Sequence, residues 1–217
     1  MVLIAGVDEA GRGPVVGPLV AAGVLIDEKD LAKLREIGVK DSKLLSPKQR
    51  EMLFDKIISI AKNYKIVIVD PEEIDEAVES ETSNLNQLET EKFAIIINYL
   101  KPDRVVIDCP STNLEAYKEH IRVYIKEKMS IICEHKADLN HEVVGAASIL
   151  AKVTRDREIE KIKERIGINF GSGYPSDETT KEFLKKNWNK YPDILRHSWA
   201  SYKNVTVEKK QTKLEDF

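Results

Sequence analysis

Cysteine is almost missing from this sequence, and so are long apolar runs. The two cysteines, Cys109 and Cys133, each lie inside an apolar segment, so we expect buried thiols in a reducing compartment and no disulfide framework. No apolar run approaches the roughly 20 residues of a membrane-spanning helix, and no signal peptide is recognisable. These absences argue against a secreted disulfide-rich domain and a membrane protein, and they predict a cytoplasmic chain.

An excess of positive charge is missing as well. The 34 Lys and Arg residues are outnumbered by 37 Asp and Glu residues, which gives a net charge of −3. Because phosphate-binding proteins usually carry a basic excess, this balance alone disfavours nucleic acid as a partner. Residues 180–190 and 203–213 are nevertheless locally basic, and a globally acidic protein can still present a basic groove.

Apolar residues make up 42% of the 217 residues, enough for one sizeable domain with a small appendage. The strand-like segments come first as a meander and later alternate with helices, which predicts an α/β fold with a mixed sheet flanked by helices. We expect strands at residues 2–8, 19–26, 64–70, 103–110 and 130–138, and helices at 27–38, 46–62, 84–100 and 140–166. The pattern divides the chain into a core at 1–166, a helical appendage at 167–202 and an exposed tail at 203–217.

Acidic residues stand at three predicted strand ends: Asp8 with Glu9, Asp108, and Asp138. In sheets covered by helices, sites commonly form where strands end, although a single aspartate at such a position is most often only a cap. Gathered together, four acids would oppose one another's ionisation, a conflict that divalent cations remove. The four histidines show no ligand spacing, so the oxygen donors favour Mg²⁺ or Mn²⁺ over zinc. Two such ions serve in-line displacement at phosphorus.

The first strand runs directly into the loop "GRG". Gly11 and Gly13 leave the backbone free to bend sharply and to approach a ligand, and Arg12 places a permanent cation between them. The stretch fits a phosphate- or sugar-reading loop, and by itself it also fits a polar turn.

Six motifs follow one another in an order that resembles type 2 ribonuclease H (ribonuclease HII) of an archaeal kind. The resemblance extends to about residue 202, and the start on the first strand favours this type over the related type 3 enzymes. One departure is Leu44, where many members carry a second lysine, so a phosphate contact there would depend on Lys43 and Lys40. The motifs are "DEAGRGP", "DSKLLS", "VVIDCPS", "HKAD…VVGAASILAKVTRD", "GSGYPSD" and "RHSWA".

The resemblance implies a ribonuclease H-like five-stranded sheet and a catalytic, metal-binding quartet of Asp8, Glu9, Asp108 and Asp138. It implies hydrolysis of the phosphodiester 5′ to a ribonucleotide, in RNA–DNA hybrids and at single ribonucleotides in duplex DNA. The reaction would use two Mg²⁺ or Mn²⁺ ions and leave a 5′-phosphate and a 3′-hydroxyl.

The resemblance also implies how the substrate is read. The backbone of Gly11, Arg12 and Gly13 would bind the 2′-hydroxyl, which is the local feature that distinguishes RNA from DNA. The Tyr174 ring would stack on the sugar of the following nucleotide. Candidate phosphate contacts are Lys43, Lys152 and Arg155, although Arg155 with Asp156 also fits a solvated helix face.

Two other functions remain open from the residues alone. A DNA exonuclease with a ribonuclease H-like fold would also use clustered acids, but it has no 2′-hydroxyl for the loop and Tyr174 to read. A non-catalytic nucleic-acid-binding or scaffold protein would have no reason to keep four mutually repelling carboxylates.

The tail "EKKQTKLEDF" carries Gln211, Leu214 and Phe217 at positions 1, 4 and 7, after two lysines. This spacing resembles the short motif by which replication and repair enzymes dock onto sliding clamps, although the usual second aromatic residue at position 8 is missing. The alternative is a disordered charged terminus. We expect a monomer that is tethered to a clamp through this segment.

Overall fold

The computed structural model describes residues 1–39 and 45–215, with the backbone alone for residues 208–215. Five strands form one sheet in the order β3-β2-β1-β4-β5. Strand β1 pairs antiparallel with β2 and parallel with β4, and β4 pairs parallel with β5, which confirms the mixed sheet. The strands are β1 (Leu3–Ala10), β2 (Leu19–Asp27), β3 (Asn63–Val69), β4 (Arg104–Asp108) and β5 (Ser130–Glu134).

Helices flank this sheet and continue beyond its last strand. Several begin at signals readable in the sequence: the Ser46 side chain accepts from the N–H of Gln49, whose side chain in turn accepts from Ser46, and Pro47 opens the helix. Among the described residues no helix is both long and apolar enough to cross a membrane. The helices are α1 (Leu31–Glu36), α2 (Pro47–Ile60), α3 (Pro71–Glu79), α4 (Leu85–Leu100), α5 (Leu114–Tyr124), α6 (Ala137–Asn140), α7 (Glu142–Ile166), α8 (Glu178–Asn187) and α9 (Ala200–Glu215).

The chain forms two compact units. The first, which we call the sheet unit, contains nearly all of the sheet; the second, the helical unit, contains the Gly-Arg-Gly loop and the C-terminal helices. The sheet unit is Met1–Ala10, Val20–Ile68 and Asn86–Thr154, and the helical unit is Gly11–Leu19, Val69–Leu85 and Arg155–Phe217.

Two apolar layers enclose the sheet of the sheet unit. On one face Ala5 and Val7 of β1 belong to the same buried cluster as Phe93 of α4. On the other face the backbone of β1 lies directly under α7, because a Cβ on Gly6 would come within 2.4 Å of the carbonyl group of Val143. Gly6 therefore sets how closely helix α7 approaches the strand that carries Asp8.

The helical unit has a core of its own. Phe170 and Phe183 pack with a ring-centroid distance of 5.4 Å, and Ile159 of α7 belongs to the same buried cluster. The segment after Gly13 joins this core through Val16, which forms an isolated β-bridge with Leu195.

The structure differs from the local predictions at Asp138 and in two additional helices. Asp138 was expected at the end of a strand, but β5 stops at Glu134 and Lys136 adopts a left-handed φ of 57°, so that Asp138 lies in α6. Helices α3 and α5 were not predicted, although Pro71 opens the first and the Asn113 side chain caps the second.

The segment from residue 203 was expected as an irregular, exposed tail. Its backbone instead continues as helix α9 as far as Glu215. Near the start of this helix Val205 is buried in the core of the helical unit, and Tyr202 packs against the same core.

Candidate active site

Asp8 is a buried member of the set of predicted acidic residues in the sheet unit. Because side chains alternate along a strand, Asp8 shares the α7-facing side of β1 with Gly6. The Ser148 hydroxyl of α7 hydrogen-bonds to the Asp8 carboxylate, and the Lys152 ammonium donates to Ser148 Oγ. Hydrogen bonds thus link Lys152 to Ser148 and Ser148 to Asp8, and Lys152 lies one helical turn beyond Ser148 on α7.

Burial perturbs Asp8 strongly. It raises the pKa of the carboxyl from its ordinary 3.8 to about 7, and the negative charge of Asp108 adds to this increase. The hydrogen bond from Ser148 and the positive charge of Lys152 act in the opposite direction without cancelling it. A cation close to this carboxylate would favour its ionised form and lower its pKa.

Asp108 ends strand β4 beside Asp8. The two strands run parallel with Val7 opposite Ile107, so the next residue on each strand, Asp8 and Asp108, points to the same face. Asp108 Oδ1 accepts a hydrogen bond of 3.1 Å from the N–H of Ala137, the residue before Asp138. Asp138 is buried as well and lies in α6, so three of the four predicted acids come from the ends of β1 and β4 and from the short helix that follows β5.

Glu9 takes a different position from the other acids. It follows Asp8 and therefore points to the opposite face of β1, on the side where Val7 is buried. Its backbone N–H donates to Asp8 Oδ1 at 2.7 Å, so the two residues are tied through the main chain. The charge of Glu9 also contributes to raising the pKa of the Cys109 thiol, after burial and Asp108.

The donor set suits a hard divalent cation. Within residues 1–39 and 45–207, whose side chains the structure describes, no three His, Cys, Asp or Glu side chains form a ready-made metal site. The donors that the structure does bring together are the carboxylates of Asp8 and Asp108, one of which is buried with its pKa raised to about 7. Carboxylate oxygens without thiolate or imidazole partners fit Mg²⁺ or Mn²⁺.

The Gly-Arg-Gly loop in the helical unit needs glycine at its first position. Gly11 has a φ of +88°, and a Cβ there would lie 2.5 Å from Cδ and Nε of Arg155. Gly13 is different, because a Cβ there would make ordinary contacts with the Tyr174 ring, 3.6 Å from Cε1. The loop is thus closely packed on Arg155 on one side and faces Tyr174 on another.

Arg155 lies beneath this loop rather than on an open helix face. Its side chain leaves 6% of the residue exposed, its Nη2 donates to the carbonyl of Ser172, and its guanidinium carbon lies 5.3 Å from the centre of the Tyr174 ring. Its burial leaves little of the guanidinium for a phosphate, and the groups that it contacts support the loop and Tyr174.

Tyr174 stands on a rigid turn and keeps 39% of its surface exposed. Gly171 and Gly173 both have positive φ, and the Asp177 carboxylate accepts from the N–H and the hydroxyl of Ser172. These bonds lower the pKa of Asp177 to about 2. The turn therefore presents an aromatic face from a backbone that is held in place.

The remaining predicted residues are Lys152, Lys43 and the three of the proposed clamp-binding segment. Lys152 is placed with the carboxylates, as described above. Gln211 and Leu214 belong to the backbone of α9, whereas Lys43 and Phe217 lie outside the described residues.

Sequence reasoning missed several residues that the structure brings into these groups. Ser148 contacts Asp8, Gly6 allows α7 to approach, and Asp177 fixes the tyrosine turn. A signal existed for Ser148, because it lies four residues before Lys152 on the helix and therefore on the same side. For Gly6 and Asp177 the meaning depends on partners that only the folded chain brings close.

Comparison with known proteins gives one family. Residues 5–202 match the sequence model of the family described as ribonuclease HII. A ribonuclease HII from Pyrococcus horikoshii is 48% identical over 221 residues, covering 99% of this chain and 98% of that protein. The crystal structure of the ribonuclease H2 from Pyrococcus horikoshii OT3 superposes with a TM-score of 0.86, covering 94% of this chain and 96% of that one.

A second solved structure contains a partner protein. It is the PCNA:RNase HII complex from Archaeoglobus fulgidus, whose matching chain is 41% identical, with a TM-score of 0.83, and covers 91% of this chain and 95% of that one. The family match over residues 5–202 includes the strands that carry Asp8 and Asp108 and the helical unit as far as residue 202.

Proposed function

The chain belongs to the ribonuclease HII family and is therefore a ribonuclease H, and we propose that it cuts the phosphodiester on the 5′ side of a ribonucleotide. The substrates are RNA–DNA hybrids and duplex DNA that contains a single ribonucleotide. The products are a 5′-phosphate and a 3′-hydroxyl. The enzyme acts in DNA replication and repair.

The observation that carries this proposal is the pair of carboxylates on neighbouring strands. Asp8 is buried next to Asp108 with its pKa raised to about 7, an arrangement that is costly unless a cation neutralises it. Asp8 and Asp108 would hold divalent cations of the Mg²⁺ or Mn²⁺ type, with Glu9 and Asp138 as further ligands. Bound there, such ions supply an activated water and stabilise the leaving oxygen.

The residues of the chain itself prepare this site. Ser148 holds the Asp8 carboxylate, and the Lys152 ammonium, one helical turn further along α7, holds Ser148. The positive charge of Lys152 favours the ionised form of Asp8, which is the form that binds a cation. Lys152 also remains available near the carboxylates for a phosphate oxygen of the substrate.

We assign recognition of the ribose to the helical unit. The backbone of Gly11, Arg12 and Gly13 binds the 2′-hydroxyl, and the Tyr174 ring stacks on the next sugar. Arg155 contributes from below by packing against Gly11 and Tyr174. Arg12 and Lys43 are the proposed contacts to the phosphate backbone.

We further propose a sliding clamp as partner, through Gln211, Leu214 and Phe217. The support is the spacing of these residues and the Archaeoglobus fulgidus relative that was solved with PCNA. Docking would raise the local concentration of the enzyme on DNA without changing its chemistry.

Cleavage of a labelled duplex with one ribonucleotide tests the proposal. We expect a single cut on the 5′ side of the ribonucleotide, with a 3′-hydroxyl end that a polymerase can extend. Cleavage is expected to stop in EDTA and to return with Mg²⁺ or Mn²⁺. An all-DNA duplex of the same sequence is the control: cutting of that duplex would indicate a DNA nuclease, and binding without cutting would indicate a scaffold.

A further inference from the structure

One arginine of the helical unit donates hydrogen bonds to main-chain carbonyls of the Gly-Arg-Gly loop. Arg196 is fully buried, and its guanidinium donates to the carbonyls of Gly11 (2.6 Å), Arg12 (3.0 Å) and Gly17 (2.9 and 3.0 Å). These partners are about 180 positions earlier in the sequence. A guanidinium presents five donors in a rigid fork, so it can hold several carbonyls in one arrangement, which a lysine cannot.

Trp199 holds the remaining carbonyl of the loop. Its indole N–H donates to the Gly13 carbonyl at 3.1 Å, and the Arg196 guanidinium lies 4.9 Å from the centre of its ring. The main-chain N–H of Arg196 also donates to the Val15 carbonyl at 2.9 Å. Two side chains, three residues apart, therefore fix three consecutive carbonyls of the loop.

The segment between these two side chains is itself fixed by helix α3. The Asp75 carboxylate accepts from the main-chain N–H groups of His197 (2.6 Å) and Ser198 (2.9 Å) and from the Ser198 hydroxyl. One carboxylate thus binds three donors from the two residues that separate Arg196 from Trp199.

We propose that Arg196, Trp199 and Asp75 are positioning residues that set the ribose selectivity of the enzyme by fixing the Gly-Arg-Gly loop. A backbone that reads a hydroxyl must hold its groups within a few tenths of an ångström, and a glycine-rich loop has little stiffness of its own. Tying all three carbonyls supplies that stiffness from outside the loop. The inference rests on the proposed function, in which this loop binds the 2′-hydroxyl.

The sharpest test removes one hydrogen bond and keeps the aromatic ring. Trp199→Phe loses the donor to the Gly13 carbonyl. Trp188→Phe is the matched control, since Trp188 is a second partly buried tryptophan packed against the same core. We measure dissociation constants in EDTA for a duplex with one ribonucleotide and for the all-DNA duplex. Selectivity is the dissociation constant of the all-DNA duplex divided by that of the duplex with one ribonucleotide. Trp199→Phe should reduce this ratio by about tenfold, and Trp188→Phe should leave it unchanged.

A second pair of variants keeps the positive charge. Arg196→Lys should reduce the same ratio more strongly than Trp199→Phe, and Arg165→Lys, whose side chain pairs with Asp193 on the surface, should not. Calorimetric binding of Mn²⁺ reports on the carboxylates and should remain unchanged in Trp199→Phe. An equal loss of affinity for both duplexes would overturn the inference, because it would mean a merely structural role. If the wild-type enzyme does not distinguish the two duplexes and cuts neither, the proposed function fails instead.

Discussion

Asp8 and Asp108 lie side by side on parallel strands, and their mutual repulsion adds to the effect of burial on the pKa of Asp8. The folded chain therefore maintains a carboxylate whose ionisation it disfavours. Proteins keep such costly groups mainly where function requires them, and a cation that binds both carboxylates removes the cost. Activity and stability should therefore respond in opposite directions when these acids are replaced.

Replacing either acid by its amide should abolish turnover. Asp8→Asn and Asp108→Asn each remove ligand charge, so we expect cleavage in Mg²⁺ to fall by roughly 1,000-fold or more. Asp55→Asn, on the exposed face of α2, is the control for the same chemical change. Single-turnover cleavage of the one-ribonucleotide duplex measures the effect, and near-normal rates in either variant would contradict the assignment.

Stability without metal should depend on pH through Asp8. The pKa of its carboxyl is about 7 in the folded chain and near 3.8 when unfolded, so the folded state binds more protons between these values. The contribution of Asp8 to the free energy of unfolding is therefore fully present below about pH 4 and is lost as the pH rises towards 7. Thermal unfolding in EDTA should show Asp8→Asn more stable than wild type at pH 8 and similar to it at pH 4.

The outcome that contradicts this prediction is a stability difference between Asp8→Asn and wild type that does not change with pH. Added Mg²⁺ should narrow the difference at pH 8 by stabilising the wild type, because only the chain with both carboxylates is expected to bind the ion.

The two glycines of the loop should tolerate alanine differently. Gly11→Ala forces a positive φ on alanine and a clash with Arg155, so we expect a loss of about 2 kcal/mol or more in the free energy of unfolding. Gly13→Ala meets only ordinary contacts and should fold normally, but its methyl group narrows the space beside Tyr174 and should slow cleavage. Urea unfolding with cleavage assays separates the two effects, and equal destabilisation by both variants would show that the loop geometry is different.

Tyr174 should matter most when only one ribose is available. Tyr174→Ala removes the exposed ring, and we expect cleavage at a single embedded ribonucleotide to fall more than cleavage of a continuous RNA–DNA hybrid. Tyr174→Phe keeps the ring and its position against Arg155, so it should retain most of the activity on both substrates. Equal losses on the two substrates in the alanine variant would mean that Tyr174 serves only to hold its turn.

Much of this architecture was predictable because its signals are local. The apolar runs that precede Asp8 and Asp108 indicated buried strands. Because these two strands are parallel neighbours in the sheet, both acids lie at their C-terminal ends. The capping signals of α2 at Ser46 and Pro47 were likewise legible in the sequence.

What the sequence did not reveal depends on contacts between distant segments. Arg196 meets Gly11 across 185 positions, and Asp75 meets Ser198 across 123, and no spacing along the chain announces such pairs. The turn at Lys136 that moves Asp138 from a strand into a helix was missed because a left-handed lysine is rare. Helix α9 was missed because its sequence shows no clear apolar stripe, and the burial of Val205 becomes visible only in the folded chain.

The proposed clamp-binding segment begins six residues after Val205, a buried residue of α9. Val205 is buried, and Lys203 pairs with Glu79 of α3 at 3.6 Å, whereas Gln211 and Leu214 lie on the last turns of the helix backbone. A deletion after Lys210 therefore keeps both the buried Val205 and the ion pair of Lys203. This makes the tail removable without an expected loss of fold.

Deleting residues 211–217 should abolish binding to the cognate clamp and leave cleavage of a short duplex unchanged. Leu214 and Phe217 supply the apolar anchors and the neighbouring lysines attract the acidic rim expected of the partner, so the double variant Leu214→Ala and Phe217→Ala should reproduce the loss, whereas Thr212→Ala should not. Calorimetric titration with the clamp measures the first effect, and single-turnover cleavage the second. Clamp affinity that survives the deletion would assign docking to another surface, and a slower intrinsic rate would place the tail in the catalytic fold.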